Sequence, residues 1–281
     1  MARKSTHNTR RIAKSIVLHV VIYTMAILTV APFVWMVLTS FKPLSEILSF
    51  PPTWWPEDFT FDNYLESFTA APFGRYYFNS LFVAGAVTVG QLITCSLAAY
   101  AFARMQFRGR DILFYLFLGT MMVPAHVTMI PSFMILHWLG LIDTYPALIL
   151  PGLASAFGTF LLRQFFLTIP RELEEAAFID GCGRFTVLYR IILPLARPAL
   201  ATLAIFTFMT VFNDFIWALI VLNSESMYTV QLGLAIFRDQ YSTEWGNLMA
   251  GSVVATLPIL LVFFFAQKYF IQGITLSGLK G

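Results

Sequence analysis

The sequence predicts an all-α, polytopic integral membrane protein with six transmembrane helices and a cytoplasmic two-helix elbow. Three observations predict it. Hydrophobic residues make up 58% of the chain and charged residues only 12%, about half the charged share of an average soluble domain. Six apolar runs each reach or approach the ~20 residues a helix needs to cross hydrocarbon. The basic residues gather on one side of those runs. A net charge of +3 over 281 residues is too small to suggest nucleic acid as a partner, and membrane lipid is the expected surroundings.

In chain order, Arg3, Lys4, Arg10, Arg11 and Lys14 precede an uncharged run over 16–38. A signal peptide would have a shorter apolar core and a small-residue cleavage site, so this run reads as a retained span. The other spans are expected at about 78–103, 112–136, 144–162, 199–222 and 248–267. Pro124 and Pro131 are expected to break the third and Pro146 and Pro151 the fourth, as neighbouring helices or a cavity allow. Between the first two spans, Pro51-Pro52-Thr53-Trp54-Trp55-Pro56 suits either an interfacial aromatic belt or a contact surface for an external partner. Loops on the N-terminal side hold 15 of the 18 basic residues, and the opposite side only Lys42, Arg75 and Arg238. The positive-inside rule then places both termini and the elbow in the cytoplasm. With no long linker and no evident repeat, 1–281 reads as one domain.

The elbow is the longest polar interruption between two apolar spans on the cytoplasmic side, over 168–198. Thr168 is expected to cap a short helix, with Pro170 in its first turn and Glu172, Glu174 and Glu175 near its positive end. Leu173, Ala176 and Ala177 fall at i, i+3 and i+4, a small apolar face that lets another backbone approach. Gly181 offers a reversal at φ > 0. A second helix would carry Phe185, Leu188, Tyr189 and Ile192 on one face until Pro194 stops it.

The order Glu175-Ala176-Ala177, then Asp180-Gly181, Ile191, Leu193-Pro194 and Pro198 resembles the EAA loop of bacterial ATP-binding-cassette importer permeases. Gly181-Cys182 is a mild departure, in a stretch where that family often carries alanine. Tyr100-Ala101-Phe102-Ala103-Arg104, the run 160–166, Asn213-Asp214-Phe215-Ile216-Trp217 and the ending Gly278-Leu279-Lys280-Gly281 resemble its carbohydrate-uptake branch, the MalG-like subunits. The resemblance implies a multi-pass protein of the bacterial cytoplasmic membrane, forming half of a translocation path with a second permease subunit as a heterodimer. It further implies two ATP-binding cassette subunits, which would hold ATP and Mg, and an extracytoplasmic sugar-binding protein. Glu175, Ala176, Ala177, Asp180, Gly181, Leu188, Ile192 and Pro194 would shape the ATPase-coupling elbow, and the tail Leu276–Gly281 would reach between the ATPases.

No catalytic machinery is legible. The chain lacks a phosphate-binding P-loop, a His-Glu-x-x-His and a Gly-x-Ser-x-Gly. Ser132 and His126 lie six apart, about 120° from a common helical face. Cys95 and Cys182 fall in a span and in the elbow and read as small packing residues; His7, His19, His126 and His137 have no metal spacing. Asp214 is the one formal charge deep in a span, where a carboxylate should face protein or water. Thr207, Thr210, Asp214 and Trp217 are spaced 3, 4 and 3 apart, with Asn213 beside them. On one helical face they would offer hydroxyl, amide, carboxylate and indole to a sugar in a translocation path; alternatively the threonines bond their own helix and Asp214 caps an interhelical network. Gln91 reads as interhelical glue, and Met121 and Met122 as packing. A proton-coupled secondary transporter using Asp214 with His126 is the alternative in another class, and a scaffold whose elbow recruits a cytoplasmic protein is a third.

Overall fold

The structure is a computed structural model describing residues 2–238 and 243–278, with side chains described except at 2–13, 266 and 268–278. Its helices run α1 (Ala2–Thr39), α2 (Leu44–Ile47), α3 (Asp62–Ala70), α4 (Phe73–Arg104), α5 (Arg110–Gly119), α6 (Ala125–Trp138), α7 (Tyr145–Ile149) and α8 (Ala156–Thr168). Then come α9 (Glu172–Ile179), α10 (Arg184–Val187), α11 (Leu193–Leu195), α12 (Arg197–Phe212), α13 (Ile216–Val221), α14 (Val230–Leu234) and α15 (Trp245–Gly278). Among the described residues there is no strand, only an isolated bridge between Arg238 and Thr243. Of the predicted tail Leu276–Gly281, residues 279–281 lie outside the described residues, and the basic residues Arg3, Lys4, Arg10, Arg11 and Lys268 are described in backbone only.

Three helical stretches are long and apolar enough to cross a membrane unaided: Lys14–Thr39, Phe73–Arg104 and Trp245–Phe265. Three pairs reach that length only together. They are Arg110–Met122 with Ala125–Trp138, bent by 100°, Tyr145–Gly152 with Ala156–Thr168, bent by 43°, and Arg184–Leu195 with Arg197–Phe212, bent by 81°. The prolines act differently from the expectation. The third run breaks at Pro124, whose preceding residue Val123 is pushed to extended φ and ψ, whereas Pro131 stays inside α6. Pro146 opens α7 rather than breaking it, because a first-turn residue needs no N–H, and Pro151 occupies the 3-10 turn where the fourth run bends. The fifth run, expected continuous over 199–222, is interrupted between Phe212 and Ile216.

The chain forms two compact units, residues 1–71 with 237–254, and 72–236 with 255–281. In the first, α1 presents apolar side chains from Ile16 to Val37 with no buried position over its most apolar window. The loop after it is held by polar groups. Asn63 is buried and donates to the carbonyls of Ser40 and Lys42 at 2.9 and 2.8 Å. Buried Lys42 pairs with Glu46 at 3.2 Å and donates to Thr53. Phe41 sits among Phe59, Phe61 and Tyr64, so part of the aromatic content of this loop makes its own small core. Trp54, Trp55 and Phe50 stay exposed.

The second unit is built around α4. One apolar cluster, with Cys95, Ala99, Tyr100, Leu162, Phe166, Val187, Leu188, Ile192 and Leu203, joins α4 to α8, α12 and the elbow. A second, with Val83, Val87, Leu136, Leu148, Val221 and Leu232, lies toward the other end of α4. Close approach of α4 to the fourth run depends on missing side chains: a Cβ on Gly90 would fall 2.3 Å from Leu153 Cδ2, and one on Gly152 2.8 Å from Val87 Cγ1. Small residues at helix interfaces let backbones meet where lipid offers no hydrophobic drive.

Candidate functional site: the elbow and the break in the fifth run

The elbow begins without the expected cap. Thr168 closes α8, its hydroxyl donating to Phe165 O at 2.7 Å, and Arg171 precedes α9 with no side-chain cap. Pro170 follows an extended Ile169, which ends α8 and redirects the chain. α9 buries only Glu174 and Ala177. Ala177 therefore turns into the apolar cluster of its own unit, while Leu173 and Ala176 face outward; the expected shared face is divided. Gly181 sits at φ +80° with nothing within 4 Å of a would-be Cβ, so the turn needs glycine for its backbone angle alone.

The second arm is α10, a π-helical turn over Leu188–Ile192, and α11. Leu188 and Ile192 are buried, yet Phe185 and Tyr189 are 80% and 75% exposed. The inward stripe runs through Val187, Leu188 and Ile192, which leaves Phe185 on the outside, and the π turn follows it. Pro194 is exposed in the first turn of α11 and does not stop the arm; the sharp bend follows at Ala196. Glu175, Asp180 and Gly181 are exposed. The outward surface of the elbow thus carries Leu173, Ala176, Ile179, Phe185 and Tyr189, and Ile179 is 87% exposed.

At the membrane end of the elbow, Arg104 in the last turn of α4 approaches Glu174 at 2.6 Å, with both side chains at least nine-tenths buried. The facing Nε and Oε1 atoms lie at ion-pair distance but off hydrogen-bond angle. Arg104 also donates to Phe166 O and Ile169 O at 2.7 and 2.6 Å. In the sequence Arg104 belongs to a motif that carries no sign of a partnership with Glu174; only the topology brings residues 70 apart together.

In the fifth run, the five polar residues do not share one face. Thr207 is buried and donates to Gln91 Oε1 at 2.7 Å. Trp217 is half-buried and donates from its indole to Ala147 O at 3.0 Å. Thr210, Asn213 and Asp214 are exposed. The helical spacing that would align them ends at Phe212, because Asn213 folds back onto Met209 O and Asp214 accepts from Trp217 N at 3.1 Å, capping α13. Gln231 of α14 donates to Asn213 Oδ1 at 3.1 Å, a contact without a signal in the sequence. Gln91 donates to Gly152 O at 2.8 Å as it accepts from Thr207, which is the interhelical role its type suggested. Among the described residues no cluster of His, Cys, Asp and Glu is arranged to hold a metal.

The geometry now has a family context. Residues 90–276, which contain the elbow and the interrupted fifth run, match the model of the "Binding-protein-dependent transport system inner membrane component" family. The chain is 37% identical over 260 residues to the arabinooligosaccharides transport system permease protein AraQ of Halalkalibacterium halodurans, covering 92% of this chain and 93% of that protein. It is 35% identical over 275 residues to the trehalose/maltose transport system permease protein MalG of Thermococcus litoralis, covering 96% and 98%. The lactose transport system permease protein LacG of Rhizobium radiobacter is 36% identical over 264 residues, covering 94% and 96%. Among solved structures, a chain of a bacterial ABC transporter involved in the import of the acidic polysaccharide alginate superposes with a TM-score of 0.82 at 28% identity, over 91% of this chain and 96% of that one. An elbow with an outward apolar surface, an all-helical membrane fold and these likenesses agree, and the chain belongs to the binding-protein-dependent transport system inner membrane component family, as a transport permease and not an enzyme.

Proposed function

We propose that this chain is one permease subunit of an ATP-driven sugar importer, and that the elbow is where ATPase subunits dock. The sugar assignment is supported by relatives named for arabinooligosaccharides, trehalose and maltose, and lactose. The docking assignment is carried by one observation: Leu173, Ile179, Phe185 and Tyr189 project apolar area from a segment that also exposes charges of both signs, among them Arg171, Glu172, Glu175, Asp180, Arg184 and Arg190. Apolar side chains interspersed with charge, on a loop that the distribution of basic residues assigns to the cytoplasm, suit a protein partner better than lipid. Two ATP-binding cassette subunits would bring ATP and Mg, a second permease subunit would complete the path, and an extracytoplasmic binding protein would deliver solute. In this reading the chain crosses the membrane six times with both termini inside; labelling of a cysteine at position 184 from outside intact cells would overturn that arrangement. Thr210, Asn213 and Asp214, exposed at the break in the fifth run, would face the path. Membership of a binding-protein-dependent family takes the place of the proton-coupled alternative through Asp214 and His126.

The test is co-purification. Ile179→Asp and Phe185→Asp put charge on exposed positions, so insertion should survive while the ATPase is lost, because an unpaired charge buried by a partner costs several kcal/mol. An ATPase that stays bound to both variants, with transport intact, would remove the elbow from the interface.

A further inference from the structure

α9 is held to its own chain by very little. Its only buried side chains are Glu174 and Ala177, one carboxylate and one methyl. The other charged residues of the elbow, Arg171, Glu172, Glu175, Asp180, Arg184 and Arg190, are all exposed. A methyl contact resists separation weakly and sliding hardly at all, since dispersion is non-directional and small per atom pair. The carboxylate of Glu174 has a fixed partner, the guanidinium of Arg104, 2.6 Å away and equally buried. Tyr100, one turn earlier on α4, also reaches Glu174 at 3.5 Å. The same guanidinium donates to Phe166 O and Ile169 O, carbonyls at the C-terminal end of α8, where the first also accepts from Ile169 N at 3.1 Å. One side chain thereby joins the end of α4, the end of α8 and the start of α9. A planar fork with five donors does this where lysine would not.

A buried pair of this kind is poor insurance for stability, because an apolar replacement of the same volume is often neutral or better. Its distinctive property is fixing geometry. We propose that Arg104 is a positioning residue that makes α9, α4 and α8 move as one body, so that displacement of the elbow by docked ATPases passes to α4 through the Arg104–Glu174 pair. The proposal rests on the coupling reading of the elbow and names the link inside this subunit.

The test needs no knowledge of the solute. In the assembled importer, with Cys95 and Cys182 replaced by alanine, spin labels are placed at Leu81→Cys on α4 and Phe178→Cys on α9, both exposed positions outside the apolar docking surface. Pulsed electron resonance compares the nucleotide-free state with the ATP–vanadate-trapped state. With Arg104 present the distance distribution should be the same in both. With Arg104→Gln it should shift or broaden on trapping while the ATPase still co-purifies. Where Arg104→Gln inserts poorly, Arg104→Gln with Glu174→Gln leaves no unpaired charge; its insertion should recover and its distance change should persist. A label distance that already changes with Arg104 present overturns the proposal, and so does an unchanged distance in the variants. Loss of the ATPase in the variants assigns the pair to the docking surface and also overturns it. Failure of the coupling reading shows separately, as an unmutated elbow that does not retain the ATPase.

Discussion

Replacing Gln91 with leucine removes a two-sided hydrogen bond from the middle of the second unit. The amide donates to Gly152 O at 2.8 Å and accepts from Thr207 Oγ1 at 2.7 Å, so leucine orphans two partners. In a membrane the unfolded reference also finds partners, and an interhelical hydrogen bond averages about 0.6 kcal/mol with a maximum near 1.7 kcal/mol. Thr207 lies within α12 and can turn its hydroxyl to the carbonyl one turn back, as threonine does in helices. Gly152 cannot recover in that way, because its carbonyl sits at the bend between Leu150–Gly152 and α8, and a fully buried orphaned acceptor costs about 1–3 kcal/mol, of which this half-buried one takes the lower part. The expected loss is about 1–2 kcal/mol, a factor of roughly 5–30 in the folded ratio. Thr207→Val should cost less, and the double variant should cost less than the two single losses together. Reversible unfolding in mixed micelles, followed by far-ultraviolet circular dichroism across this cycle, measures it. Strict additivity, or a Gln91→Leu protein as stable as the original yet defective in transport, would refute the reasoning and move Gln91 to the solute path.

Gly181→Val should impair ATPase docking and transport while leaving insertion intact, since a β-branched residue is disfavoured at φ +80° and the turn it distorts lies at the surface; wild-type docking and transport would show that the turn tolerates any residue. Asp214→Ala should lower transport more than expression, because it removes a charge whose only described bond is the cap to Trp217 N; transport at wild-type rate and apparent affinity would leave Asp214 with capping alone. Asp143, at φ +63°, accepts from Asn223 N, Ser224 N and the Ser224 hydroxyl. Partial burial pushes its carboxyl up, but the Ser224 hydroxyl and the two backbone groups outweigh that and hold it below the usual aspartate range. Its contribution is therefore present at neutral pH and lost as pH falls through the depressed value. The melting-temperature advantage of the protein over Asp143→Asn should be level above about pH 5 and shrink below about pH 4; an advantage that grows on acidification contradicts the sign.

Much of the fold was legible because membrane insertion leaves a coarse signal. Apolar runs located the long apolar stretches Lys14–Thr39, Phe73–Arg104 and Trp245–Phe265 closely, though α1 and α15 extend well beyond them, and Gly181 took the positive φ that its place in the elbow suggested. What stayed illegible was fine periodicity near interruptions. Helical spacing put Thr207 and Asp214 on one face, yet the side chains of Asn213 and Asp214 themselves end that helix. Spacing also grouped Ala176 with Ala177 and Phe185 with Leu188, pairs that the structure splits between surface and core. A 100° apolar stripe two turns long does not fix which edge faces inward. Pro131 illustrates the converse: a residue type that favours a break was absorbed inside α6.

The interruptions in the second unit share one physical solution, and it draws on α4, which is unbroken from Phe73 to Arg104. Backbone groups outside regular helices have no water to turn to at membrane depth, so side chains must meet them. Along α4, Asn79 donates to Ser226 O and Tyr228 O at 3.0 and 2.9 Å, and Ser80 accepts from Val230 N at 2.8 Å. Farther on, Gln91 meets Gly152 O, Thr94 meets Leu153 O and Cys95 meets Ser155 O, three of the carbonyls around the bend in the fourth run. At the last turn Arg104 meets Phe166 O and Ile169 O. Polar residues placed at intervals along one apolar helix thus receive the irregular backbone of the segments around it. A bend whose carbonyls are bonded to a straight helix keeps its angle when an end is pushed. The elbow is bonded to that same helix through Glu174, so under the proposed coupling a push on it would pass into α4.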